Sequence, residues 1–165
     1  MRRLLSTLVV AFALSMSTQI NAQIDILAGL GLSFGTGAEA VGIQFKGDVD
    51  ITDVWGASLN FTPYFVSGSN YWEINFDAHY MFLDSDPWSA YALAGLNLST
   101  IGVKGGNIIG VNIPGLNATK VGLNVGGGAR YAISDNISLY SEIKYIISSF
   151  DQLVITVGGL YRFSL

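Results

Sequence analysis

The sequence predicts an all-β chain: one eight-stranded, antiparallel, up-and-down transmembrane β-barrel whose apolar face is turned outward to lipid. Three observations carry this. Polar and apolar residues alternate along each segment, as they do when successive side chains point to opposite faces of a strand. The polar face also carries glycines, which a cramped interior needs. The strands are even in number, with tight turns at one end and the only long loop at the other.

The alternation is plainest near the C-terminus. Over Ile137 to Ile147, Ile137, Leu139, Ile143, Tyr145 and Ile147 fall on one face, and Ser138, Tyr140, Glu142 and Lys144 on the other. The next segment sets Leu153, Ile155, Val157, Tyr161 and Phe163 against Gln152, Thr156 and Arg162. The one before sets Val121, Leu123, Val125, Tyr131 and Ile133 against Lys120, Asn124 and Arg130. Gly122, Gly126, Gly128 and Gly158 share the polar face. A soluble lipocalin-like barrel would show the inverse, with its charges outside.

Composition agrees with a single small membrane domain. The chain has 165 residues, 50% of them hydrophobic and 12% charged, against about 25% charged in ordinary soluble domains. No internal run approaches the roughly 18 apolar residues of a transmembrane helix. Cysteine is absent, which removes disulfides, thiolate metal sites and a lipid-attachment cysteine. The acidic balance and the lack of a basic patch give no reason to expect nucleic acid.

Residues 1–22 read as a cleaved secretory signal. Arg2 and Arg3 supply the positive start, Leu4 to Met16 the apolar run, and Ile20-Asn21-Ala22 a cleavage site before Gln23. Removing two of eight basic residues leaves six against twelve acidic ones, a formal charge of −6 for residues 23–165. Eight strands follow, over 24–34, 38–51, 54–66, 71–83, 88–102, 119–133, 137–147 and 152–163. The first places Ile24, Ile26, Ala28, Leu30, Leu32 and Phe34 outward, with Asp25, Gly29 and Gly31 inward. The second places Val41, Ile43, Phe45, Val49 and Ile51 outward, with Gln44, Lys46, Asp48 and Asp50 inward. The fourth places Trp72, Ile74, Phe76, Ala78, Tyr80 and Phe82 outward, with Glu73, Asn75, Asp77 and His79 inward. The fifth, opening Trp88-Ser89-Ala90-Tyr91, does not choose a face. Tight turns at Thr52-Asp53, Asp84 to Pro87 and Ser134 to Asn136 mark one end, and the long segment 103–118 the other. That arrangement puts both termini on the periplasmic side.

Aromatic residues form two expected girdles. Trp55, Phe82, Trp88, Tyr131 and Phe163 gather at the turn end, and Phe34, Phe65, Trp72 and Phe150 at the loop end. Ten residues separate Trp55 from Phe65. That is about 33 Å of strand, or roughly 25 Å of height at a tilt near 40°.

The closing run Thr156-Val157-Gly158-Gly159-Leu160-Tyr161-Arg162-Phe163 resembles the C-terminal signal read by the barrel-assembly machinery. Its elements are a polar residue, a glycine two later, and two aromatics one residue apart, here Gly158, Tyr161 and Phe163. Ser164 and Leu165 follow, where that family usually ends on the aromatic. With the eight-strand plan, residues 23–165 resemble the small OmpA/OmpX-type and opacity-type outer-membrane barrels, often labelled porin-family proteins. The resemblance implies residence in the outer membrane, contact with its lipid and lipopolysaccharide, and assembly by that machinery. It implies no particular activity.

Candidate chemistry is sparse. His79, the only histidine, falls near Ser58 and Asp48 in approximate register, a set that could be nucleophilic. It would face the lumen near the turn end, away from the outer-leaflet lipid on which barrel enzymes act, and a hydrogen-bonded lumen network accounts for it better. Asp48, Asp50 and Asp53 could suggest calcium, but alternate residues of a strand do not wrap an ion. Gly126-Gly127-Gly128 has no helix after it and is no phosphate cradle. No metal or cofactor is therefore expected. Residues 104–118, with Ile108, Ile109, Val111 and Ile113, are either a contact surface for an outside partner or a hairpin extending the fifth and sixth strands.

The expected function is a non-enzymatic, monomeric surface protein, structural or adhesive, whose lumen is plugged. Asp25, Lys46, Asp48, Asp50, Glu73, Asp77, Arg130, Glu142, Lys144 and Arg162 should form an ion-paired network there, since eight strands leave room only for side chains. Arg162 should meet Asp25 at the rim, and Lys46, Asn60 and Asp77 should share one row. A narrow ion channel is the alternative, and a lipid-modifying enzyme a remote one.

Overall fold

A computed structural model describes residues 25–103, 106–108, 111–113 and 116–163. The expected signal segment 1–22, Ile24, Ser164 and Leu165 lie outside those residues. Eight strands close into one barrel: β1 (Asp25–Gly35), β2 (Ala40–Asp50), β3 (Trp55–Tyr64), β4 (Ser69–Ser85), β5 (Trp88–Val103), β8 (Leu116–Ala132), β9 (Ile137–Ile147) and β10 (Gln152–Phe163). Every pairing is antiparallel, and β1 against β10 completes the ring, with Ile26 opposite Phe163 and Gly31 opposite Gly158. The remaining two strands, β6 (Gly106–Ile108) and β7 (Val111–Ile113), pair with each other inside the long loop. Over the described residues of this segment, the β5–β8 and β6–β7 pairings agree with the hairpin alternative.

The pleat sorts the residues as expected. Leu30, Leu32, Phe45, Phe76, Leu139, Ile143, Ile155 and Val157 are exposed, while Gln44, Lys46, Asp48, Glu73, Asp77, Glu142 and Lys144 are buried. With unpaired backbone groups forbidden in hydrocarbon, a closed ladder is the only β solution. The ambiguous fifth strand chooses its face through partners. Tyr91, Asn97 and Ser99 turn inward, where each finds a hydrogen bond, and Ala92, Ala94, Leu96 and Leu98 turn outward.

Glycine makes room for the bulky interior. Gly158 faces Gly31 on the inner wall, and a Cβ on Gly158 would meet the Tyr140 ring at 2.6 Å. Gly128 does the same for Tyr91, whose hydroxyl a Cβ would also meet at 2.6 Å.

Two differences from expectation concern register. β3 ends at Tyr64 rather than at 66: the Phe65 amide still bonds in register to the Val41 carbonyl of β2 at 2.8 Å, and the chain then bends, the Val66 amide donating to the Tyr64 carbonyl at 3.2 Å. Tyr64 therefore pairs with Tyr71, which slides β4 by two residues. Asn60, opposite Lys46, then faces Asn75, while Asp77 faces Ser58. The expected row of Lys46, Asn60 and Asp77 is corrected accordingly.

The wall is uneven in height. β8 pairs with β9 only as far as Leu123, yet continues with β5 to Leu116 opposite Val103. Lys120, inward by parity, is exposed on this overhang.

Candidate functional site

The barrel's interior is the candidate site, and its inward side chains bond in three tiers. At the turn end, Arg130 on β8 forks across β2. Its Nη2 donates to Asp48 at 2.9 Å and its Nη1 to Asp50 at 2.8 Å. Lys46 lies between Asp48, at 3.3 Å, and Glu142 of β9, at 2.5 Å. Glu142 also accepts from the Tyr91 hydroxyl at 2.6 Å. Lys46 and Arg130 stand over the rings of Tyr140 and Tyr91, at 5.4 and 5.3 Å from their centres. Such charges are tolerated away from water only when paired and hydrogen-bonded.

The middle tier is an asparagine belt. Asn75 donates to Asn60 at 2.9 Å, and its own carbonyl accepts from Asn97 at 2.8 Å and from Asn124 at 2.9 Å. Asn124 also reaches Asp77, which Lys144 approaches at 3.4 Å. Amides suit this role because each carries both donors and an acceptor.

The loop-end tier is organised differently. Glu73 is buried and accepts from Tyr71 at 2.5 Å, from Tyr64 at 3.3 Å, from Ser99 at 3.5 Å and from the Gln152 amide. No cation stands within ion-pairing range of it among the described residues. Above it, Ala40, Tyr64 and Tyr71 form an apolar cap on which Phe150 and Ile101 pack.

The expected lumen charges are brought together, with Glu73 set apart on neutral donors. Arg162 and Asp25 meet at the rim at 3.5 Å, both partly exposed. That rim opens into a vestibule of about 920 Å³ that reaches Arg130 and is edged by Asp25, Asp53, Asp84, Asp86 and Asp135.

The nucleophilic set does not assemble. The register places His79 opposite Gly56, one inward position from Ser58. The His79 ring stacks on Tyr91 at 4.3 Å between centres, and neither ring nitrogen makes a hydrogen bond within the protein. Ser58 Oγ is unpaired as well. Asp48 and Asp50 are engaged by Arg130, and no cluster of three or more His, Asp or Glu suited to a metal occurs among the described residues.

On the outer wall, Trp55 packs on Tyr80 at 5.1 Å and Trp88 on Tyr131 at 4.8 Å, with Phe82 and Phe163 exposed at the same end. Phe34, Phe65 and Trp72 face outward near the other end. Phe150 is a correction. It sits in the β9–β10 turn and packs against the Ala40, Tyr64 and Tyr71 cluster, its ring 6.2 Å from that of Tyr71. Gly158, Tyr161 and Phe163 all lie on the closing strand, the two aromatics outward.

Sequence reasoning missed Tyr64, Tyr71, Tyr91, Asn97 and Ser99 as lumen partners. Inward parity, once strand five and the β3–β4 register are fixed, would have found each of them.

Similar folds are known. The N-terminal β-barrel domain of OprF from Pseudomonas aeruginosa superposes with a TM-score of 0.68 at 15% identity, covering 86% of this chain and 98% of that one. Ail, the attachment invasion locus protein of Yersinia pestis, gives 0.60 at 17% identity over 85% and 97%. It has also been crystallised with the heparin analogue sucrose octasulfate. Neisserial surface protein A gives 0.60 at 18% identity over 87% and 98%. No curated protein matches the sequence. A family model described as the outer membrane protein beta-barrel domain matches residues 5–163.

Proposed function

From the premise that the chain belongs to the outer membrane protein beta-barrel domain family, we propose that it is a non-enzymatic surface protein, structural or adhesive, with a plugged lumen. The observation that supports this most is the filled interior. An asparagine belt and an apolar cap lie in series above the ion-paired tier, and any solute would have to break all three. What remains for function is the outside of the barrel and its loop end. An attachment protein and a surface protein among the similar folds agree with that by architecture alone.

In this reading the signal 1–22 is removed, both termini are periplasmic and residues 104–118 emerge at the cell surface beside lipopolysaccharide. The barrel is a monomer. The assembly machinery reads Gly158, Tyr161 and Phe163. Phe163→Ala should lower outer-membrane levels several-fold, whereas deleting Ser164 and Leu165 should not; equal levels for Phe163→Ala and wild type would refute the signal. Any partner of residues 104–118 is not a polyanion of the heparin kind, since the loop end adds only Lys104 and Lys120 against Glu39 and Asp151.

The competing reading, a narrow ion channel, draws on the open vestibule at the turn end. Planar-bilayer recording separates the two. The plugged barrel gives no steady conductance, and a stable, large open state would promote the channel.

A further inference from the structure

A groove of about 680 Å³ crosses the lipid-facing wall. One bank is made by Tyr131, Leu139 and Leu30, the other by Val157, Leu32 and Ile43, and Trp88 closes one end. Its floor is the backbone over the inward positions Arg130, Tyr140, Gly158 and Gly31, and it lies open because two outward positions beside it, Ala129 and Ser141, carry only small side chains.

The groove follows the hydrogen-bonded rows across β5, β8, β9, β10, β1 and β2. Those rows are inclined because the strands are. Trp88 opens β5 directly at a turn, Leu30 lies five residues into β1 from the same end, and Ile43 lies three residues from the opposite end of β2. Five strand spacings of about 4.8 Å make about 24 Å of length. At a strand tilt near 40° the groove climbs roughly 15 Å, about half of a ~30 Å hydrocarbon core. It therefore starts at the Trp88–Tyr131 girdle and ends near the bilayer midplane.

We propose that this groove is a lipid site: it holds one acyl chain of a phospholipid whose headgroup lies at Trp88 and Tyr131. The depth spanned is that of a single leaflet. The groove is continuous with the surface the barrel already gives to the membrane, so a lipid enters it without leaving the bilayer. A chain laid there fills a depression that annular lipids, moving as a fluid, fill poorly, and the lost dispersion contacts are recovered. The aromatic pair at the lower end suits the interface, where an apolar ring body and a polar tip are both satisfied. This inference rests on membrane residence and not on the adhesive role, so silence in the bilayer recording leaves it untouched.

The test uses the intact protein in vesicles of phosphatidylethanolamine and phosphatidylglycerol, with a trace of phospholipid carrying a photoreactive group midway along one chain. Adducts should concentrate on peptides bearing Leu139 and Val157, at least five-fold over the wall around Phe61 and Phe76. Ala129→Phe and Ser141→Phe, which fill the floor, should lower those adducts about five-fold. Ala94→Phe, on the same wall but outside the groove, should not. If the phenylalanine variants fail to fold, judged by heat-modifiable mobility, the milder Ser141→Leu should still lower labelling about two-fold. Even labelling around the barrel would overturn the proposal. So would labelling that survives in the filled variants.

Discussion

The two ends of the lumen solve one problem in different ways. Near the turns, Asp48, Asp50 and Glu142 are held by Lys46 and Arg130, charge against charge. Near the loops, Glu73 is held by two tyrosine hydroxyls, a serine and an amide, with no cation in ion-pairing range among the described residues. Removing one partner of an ion pair strands a buried charge, whereas removing one of four neutral donors leaves three. The turn-end tier is thus the brittle one and the loop-end tier the tolerant one. The exposed rim pair Arg162–Asp25 is a third case, solvated at little cost.

The sharpest break of that contrast is Lys46→Ala. It leaves Glu142 without a lysine or arginine in ion-pairing range, while Asp48 keeps Arg130, and should destabilise the barrel by about 3–5 kcal/mol, read by urea unfolding from lipid vesicles. Glu73→Gln should cost less, about 1–3 kcal/mol, because one acceptor becomes a donor among neutral partners. A larger loss for Glu73→Gln than for Lys46→Ala would invert the comparison. Asn75→Ala tests the layer between. It removes the hub that Asn60, Asn97 and Asn124 share, and unfolding should show a loss of about 1–3 kcal/mol. The smallest effect belongs to Arg162→Ala, about 0–1 kcal/mol and fading with salt. A loss as large as that of Lys46→Ala would mean the rim pair is not solvated.

Much of this was legible because lipid and lumen impose opposite demands on alternate residues. From Ile137 to Ile147 the sequence dictates both the strand and its facing, with no competing solution. Trp88 to Leu96 was illegible for the same reason inverted: alanines satisfy either side, and only Tyr91 reaching Glu142 decides. The interior row of Lys46 was half legible. Its match to Asn60 follows from a tight turn, but the β3–β4 register depends on where the chain bends after Tyr64, and hydrophobic pattern is blind to a slip of two residues. Phe150 illustrates a further limit. A turn aromatic has no pleat to fix its direction, so packing on Tyr71 decided it. The division into brittle and tolerant tiers was not legible at all, since it depends on which donors surround Glu73 in three dimensions.

The overhang of β5 and β8 past Leu123 has a consequence for reach. Seven residues of β8, Leu116 to Gly122, stand beyond the last pairing with β9, about 23 Å of strand at 3.3 Å per residue. A bacterial surface is a thicket of sugar rather than a plain, and a contact point flush with the lipid would be shaded by it. This wall works as a mast: β4, β5 and β8 continue together, with Ser69 opposite Val103 and Val103 opposite Leu116, so a blade three strands wide carries the base of the β5–β8 connection past the edge of β9. On the proposed orientation, shortening β5 and β8 by equal pairs of residues would lower the height at which residues 104–118 are offered.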